Sequence, residues 1–114
     1  MTAARIDYVE LPSATAHELT RGFYAKAFGW DFTDYGPDYS ATTNGVTDLG
    51  LNGQPEEALA APLPVVRVDN LDQAFDSVVA AGGIIAKPIY AFPGGRRFHF
   101  VDPSGSELAA WSES

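Results

Sequence analysis

Few residues in this chain can do chemistry: it holds two histidines, no cysteine and one methionine among 114 residues. His99 lies in Arg97-Phe98-His99-Phe100, where strand alternation puts Arg97 and His99 on one face and the two phenylalanines on the other. A histidine so placed can donate a hydrogen bond or act as a general base near neutral pH. The competing role is structural, a ring bonded to a neighbouring strand. Arg97 suits an anionic ligand or a salt bridge to Glu10 or Glu107. Near the N-terminus, the same alternation sets Ile6, Tyr8 and Glu10 on one side and Asp7, Val9 and Leu11 on the other. Glu10 turned inward is costly unless it is paired or hydrated; the alternative is a solvated strand end. Pro88 to Gly95 reads as an aromatic loop carrying Tyr90 and Phe92, either a pocket wall or lid or a plain connection. Trp30 and Trp111, with Tyr8, Tyr35, Tyr39 and Tyr90, offer rings for stacking a flat ligand or for filling the core. His17, in the first turn of a helix, reads as an exposed surface residue.

Other chemistries find no support. Neither Gly82-Gly83 nor Gly94-Gly95 is followed by Lys-Ser/Thr and a helix, so there is no phosphate loop. Gly-x-Ser-x-Gly is absent, and Asp102-Pro103-Ser104-Gly105 reads as a turn. The net charge is −8, and the basic residues are scattered apart from Arg96-Arg97. An acidic surface repels phosphate backbones, so nucleic acid is not an expected partner. No run of about 18 apolar residues offers a membrane span, and Met1 to Leu11 alternates rather than forming a signal peptide. Lack of cysteine excludes disulfides and thiol nucleophiles and fits a cytoplasmic location.

Two amphipathic helices should position these groups. The first runs from a capping box, Thr15-Ala16-His17-Glu18, through Leu19, Phe23 and Ala27, with Tyr24 and Phe28 beside them, and stops at Gly29. The second starts at Asn70, carries Leu71, Ala74, Phe75, Val78 and Val79 on one stripe, and stops at Gly82-Gly83. Each should lay that stripe on a sheet. Strand-like runs precede them at 5–11 and 63–68. Others follow the first helix at 30–35, 39–43 and 46–51, and the second at 84–87, 97–101 and 107–111. Asn44-Gly45 is a hairpin signal. The order strand, helix, three strands therefore occurs twice, at an offset of about 54–57 residues. One domain is expected over 1–114, with modules of roughly 1–53 and 63–114 joined by the proline-rich linker 54–62.

Glu10-Leu11-Pro12 and Phe23-Tyr24-Ala25-Lys26-Ala27-Phe28-Gly29-Trp30 resemble the first-half signature of the vicinal oxygen chelate superfamily (glyoxalase, bleomycin resistance protein, dioxygenase). In the second half, Val68-Asp69-Asn70-Leu71-Asp72, Ala80-Ala81-Gly82-Gly83 and Gly94 to Gly105 resemble its glyoxalase-like members. The resemblance implies an α+β fold of two βαβββ modules forming a curved mixed sheet around a cleft, with helices on the convex side. It also implies a homodimer. Glyoxalase I, extradiol dioxygenases and fosfomycin-resistance proteins of this superfamily use a metal; bleomycin-binding members use none.

The family pattern places its first metal ligand at Tyr8, or at Asp7 one residue earlier, and its last at Ala109. Leu63 and Val65 stand where a His or Gln belongs, and the last strand of the first half offers only Asp48. Three or four converging His or carboxylate ligands are what such a metal needs. No metal and no cofactor are therefore expected. The cleft of the family fold should then be faced by Tyr8, Glu10, Glu107, Ala109 and Trp111, and by His99 if Phe98 and Phe100 pack under a helix. The expected function is binding of a small organic molecule by Tyr8, Glu10, Tyr90, Phe92, Arg97, His99 and Trp111, with His99 and Glu10 the candidates for any catalysis. Two alternatives stay open: a metal-dependent lyase or dioxygenase-type enzyme with substituted ligands, and a non-catalytic interaction or stress-response accessory protein.

Overall fold

The computed structural model describes residues 4–43, 45–54 and 59–114. Its elements are β1 (Arg5–Pro12), α1 (His17–Phe28), β2 (Thr33–Asp34), β3 (Tyr39–Ala41), β4 (Asp48–Asn52), β5 (Leu63–Arg67), α2 (Leu71–Ala80), β6 (Ile84–Phe92), β7 (Gly95–Val101) and β8 (Glu107–Ser112). The fold is α+β, with βαβββ occurring twice. The chain divides into two compact units, one over 8–63 and one over 64–114 together with the N-terminal segment up to Asp7.

The units share a topology. In the first, β1 pairs in parallel with β4, from Tyr8 opposite Asp48 to Pro12 opposite Asn52, and β3 then β2 add antiparallel strands. In the second, β5 pairs in parallel with β8, Val65 opposite Ala109, and β7 then β6 add antiparallel strands. A parallel partner needs a crossover, and the helix of each module lies within it.

The second unit follows its sequence pattern closely. Asn70 caps α2 by accepting from the Gln73 N–H at 3.0 Å. Leu71, Ala74, Phe75 and Val78 then pack on Phe98, Phe100, Val66, Val68 and Ala110. Phe98 is fully buried, with its ring 5.1 Å from that of Phe75. Because Phe98 faces α2, pleating sends Arg97 and His99 to the face away from the helix. The turn at 102–105 also forms, its Asp102 carboxylate accepting from the Ser104 and Ser106 N–H groups.

Two expectations for elements are corrected. The segment 88–92 is not a loop or lid: β6 continues to Phe92, and only Pro93-Gly94 turn the chain into β7. Pro88 is tolerated because β6 is the last strand of this module and its register shifts there, so no ladder bond needs the missing N–H. In α1, the stripe expected to be buried is the exposed one, with Leu19 80%, Phe23 60% and Phe28 61% accessible. No side chain caps this helix and its N-cap is Ala16, so the Thr15 capping box does not form. The cause is polar. His17 bonds Ser13 and Ser40, and one turn later Arg21 bonds Asp34 and the Phe32 carbonyl. These ties rotate Leu19 and Phe23 outward. Tyr24, Phe28 and Trp30 stack on one another beside them. The Asn44-Gly45 hairpin and the linker fall partly outside the described residues, at Asn44 and at 55–58.

Candidate functional site

In the first module, the face of the sheet away from α1 holds a polar chain. Tyr39 on β3 donates from Oη to Glu10 Oε2 at 2.8 Å, and Asn52 on β4 donates from Nδ2 to Glu10 Oε1 at 3.3 Å. Tyr8 and Tyr39 are hydrogen-bonded through their hydroxyls. Tyr39 has one hydroxyl hydrogen and gives it to Glu10, so Tyr8 is the donor in that pair. Glu10 is only 2% accessible, which corrects the solvated strand end weighed for it. Burial, and then the neighbouring Glu10 charge, push the Tyr39 hydroxyl far above its ordinary pKa, so it stays protonated.

Register explains how the chain fits. Glu10 lies opposite Gly50, and Gly50 opposite Ala41. A Cβ on Gly50 would overlap the Tyr8 ring and meet the Tyr39 hydroxyl. Gly50→Ala is expected to cost about 1–3 kcal/mol by overpacking. In a Tyr8→Leu background that cost should shrink, and a double-mutant cycle by urea unfolding checks the coupling.

The second module presents another chain on its helix-free face. Arg97 donates from Nε to Tyr90 Oη; Tyr90 Oη lies 3.0 Å from His99 Nε2, and His99 Nδ1 lies 2.8 Å from Glu107 Oε2. With Glu107 as acceptor, His99 carries its hydrogen on Nδ1 and receives the Tyr90 hydroxyl hydrogen on Nε2. The His99 ring is fully buried. Burial pulls its pKa below the ordinary 6.5, with the Arg97 and Lys87 charges acting in the same direction and Glu107 opposing them. Around the chain, Arg97 sits over the Tyr90 and Phe92 rings at 5.6 and 5.9 Å. The Phe92 and Trp111 rings lie 6.1 Å apart, and Arg67 covers Trp111 at 4.8 Å. The Trp111 indole N–H donates to Asp7.

The depressed His99 pKa fixes the sign of a pH effect. Between the folded value and 6.5, the unfolded chain binds more protons, so stability rises with pH. The contribution is complete above 6.5 and is lost as pH falls from there through the lower folded value. Urea unfolding between about pH 5 and 7.5 is expected to show this slope, and His99→Gln is expected to flatten it.

Among the expected site residues, the structure joins Tyr8 to Glu10 through Tyr39, and Tyr90 to both Arg97 and His99; Phe92 and Trp111 form the neighbouring ring pair. Tyr39 and Asn52 enter the site although sequence reasoning counts only the Tyr39 ring, as a stacking group. His17 is not a plain surface residue. Its Nδ1 lies 2.7 Å from Ser13 Oγ and its Nε2 3.1 Å from Ser40 Oγ, and Ser40 donates to Asp34 at 2.6 Å. That Ser40 bond and the Arg21 guanidinium hold the Asp34 carboxyl below its usual range. A cavity of about 240 Å³ in the first module is lined by Trp30, Thr42, Gly45, Thr47 and Leu49; of these, sequence reading weighs only Trp30, as a stacking ring.

The positions at which the family resemblance raises metal ligands are otherwise bonded or apolar, each within its own module. Tyr8 is bonded to Tyr39, and Asp48 Oδ1 accepts from Thr42 Oγ1 and the Gly45 N–H. Val65 and Ala109, buried opposite each other, offer no lone pairs. Among the described residues, no three His, Cys, Asp or Glu side chains are grouped to hold a cation.

The chain thus repeats one βαβββ module, and each copy carries a polar chain on its helix-free face. The model of the Glyoxalase/Bleomycin resistance protein/Dioxygenase superfamily matches residues 5–109, and the chain belongs to that superfamily. Solved structures share the fold at low identity. A protein described as an NAD-dependent benzaldehyde dehydrogenase from Legionella pneumophila is 18% identical, with a TM-score of 0.75 over 94% of this chain and 98% of that one. The Mn(II)-bound glyoxalase from Novosphingobium aromaticivorans is 20% identical, with a TM-score of 0.71 over 97% of this chain but 40% of the other. A superfamily member from Vibrio splendidus 12B01 is 15% identical, with a TM-score of 0.68 over 98% of this chain and all of that one. No curated protein matches in sequence. Among the described residues, no helix is long and apolar enough to cross a membrane.

Proposed function

We propose that this chain binds a small organic molecule without a metal, through Tyr90, Phe92, Arg97, His99 and Trp111 on the helix-free sheet face of the second module; Tyr8 and Glu10, joined through Tyr39, are the ligand-binding candidates of the first module taken by itself. The observation that carries this reading is the chain Arg97–Tyr90–His99–Glu107 flanked by the Phe92 and Trp111 rings. A guanidinium on aromatic faces suits a planar anion, which gains a charge-assisted hydrogen bond and ring contact together. Benzoate is the probe. Arg97→Ala is expected to weaken its binding, read by calorimetry, by about tenfold or more. An unchanged affinity in Arg97→Ala, or no benzoate binding at all, overturns the assignment.

The donor set argues against the metal-dependent lyase or dioxygenase reading. The accessory-protein reading predicts no thermal shift with any small-molecule set. Homodimerisation and a cytoplasmic location remain part of this proposal, on the family resemblance and the cysteine-free composition. Sedimentation equilibrium tests the dimer.

A further inference from the structure

We infer that the outward face of α1 is a self-association surface that pairs with α1 of a second copy of this chain, the two helices running antiparallel and crossing at Gly22. This inference rests on the homodimer reading and names the surface that makes the dimer.

Helical spacing puts Glu18, Leu19, Gly22, Phe23 and Lys26 on one face. That face turns away from the sheet, because His17 and Arg21 tie the other side of the helix to Ser13, Ser40 and Asp34. Glu18 and Lys26 are exposed, and Leu19 and Phe23 are 80% and 60% accessible. A lone exposed leucine is ordinary. The glycine and the charges beside it single this face out.

Gly22 lies mid-helix without a left-handed backbone, and a Cβ built there meets no atom within 4 Å. Glycine weakens a helix interior relative to alanine, and among the described residues nothing in this module asks for it. A bare stretch of helix backbone does allow another helix to approach closely.

The charges say which helix. Glu18 and Lys26 stand four residues before and four after Gly22. In an antiparallel pair with a two-fold axis level with Gly22, Glu18 of each copy meets Lys26 of the other. The Leu19 and Phe23 flanks then come together on one side of the crossing. A parallel pair would set Glu18 on Glu18 and Lys26 on Lys26 instead. A foreign helix would need to bring the same complement, whereas a second copy carries it already.

A helix also favours an acid in its first turn and a base in its last, so Glu18 and Lys26 suit α1 on its own. Exchanging them separates the two roles. Sedimentation equilibrium gives the dimer Kd of the intact protein and of each variant, and far-UV circular dichroism reports that each is folded. Glu18→Lys and Lys26→Glu are each expected to weaken the dimer by about tenfold, since each turns two attractions into two repulsions. The double exchange rebuilds opposite pairing and is expected to bring Kd back to within about threefold of wild type, although it opposes the helix dipole most. Gly22→Leu, whose side chain enters open space in the single chain, is expected to stay folded and weaken the dimer by about tenfold or more. A loss that accumulates in the double exchange means that the charges serve their own helix, and overturns the inference. A dimer indifferent to all four variants also overturns it and leaves the homodimer reading standing on another surface. A wild type that stays monomeric up to about 1 mM removes the homodimer reading, and the inference with it.

Discussion

Phe98→Ala is expected to lower unfolding stability by about 3–5 kcal/mol, the range for truncating a buried aromatic ring. Phe98 is fully buried, edge-on to Phe75 at 5.1 Å and 6.0 Å from the Phe100 ring, beneath the inner stripe of α2. The residues closing over it belong to one helix and the strands β7 and β8, which cannot collapse into the void without moving the ladder that holds them. The damage should reach the site, because Phe98 lies between Arg97 and His99 on β7. Phe98→Leu keeps most of the volume and is expected to cost less. Urea midpoints with unchanged m-values check both. A loss under about 1 kcal/mol for alanine would contradict the packing described.

Glu10→Ala is expected to be about as severe, roughly 3–5 kcal/mol, for a different reason. It leaves the Asn52 amide, a buried donor that costs about 1–3 kcal/mol when unsatisfied, without its acceptor, takes from Tyr39 its bond to the carboxylate, and leaves a cavity besides. Asn52 is 3% accessible, so water cannot readily replace the carboxylate. Glu10→Gln keeps an acceptor for Asn52 and fills the space, so it should cost much less. Among the described residues, no buried side-chain nitrogen or oxygen lacks a partner, and Glu10→Ala would take from Asn52 Nδ2 its acceptor. The same urea series separates the variants. A small and equal effect of both would mean that Glu10 is solvated and that the polar chain contributes nothing.

What is legible in the sequence follows local physics. The repeat of strand, helix and three strands can be read because helix period, Asn70 and the glycine stops are short-range signals. Alternation places His99 on the helix-free face, since Phe98 and Phe100 can go only to the apolar side. The same logic fails on α1, where apolar spacing picks Leu19 and Phe23 while His17 and Arg21 find buried or charged partners on the sheet. Those partners, Ser40 and Asp34, lie 23 and 13 residues away from His17 and Arg21, beyond any local pattern. Sequence reading ends the strand at Lys87 and takes 88–95 as an aromatic loop, whereas β6 continues through Pro88 to Phe92 as an edge strand. It misses Tyr39 and Asn52 as partners of Glu10 because their placement depends on the register of β3 and β4 against β1, which tertiary pairing sets.

The central claim is that recognition here runs on hydrogen bonds and rings, with no cation. Benzoate titration of protein exhaustively dialysed against a chelator, compared with the same protein supplied with Mn²⁺, Zn²⁺ or Ni²⁺, tests it most directly. The account predicts one affinity under all four conditions; binding that appears only after a cation is restored would contradict it.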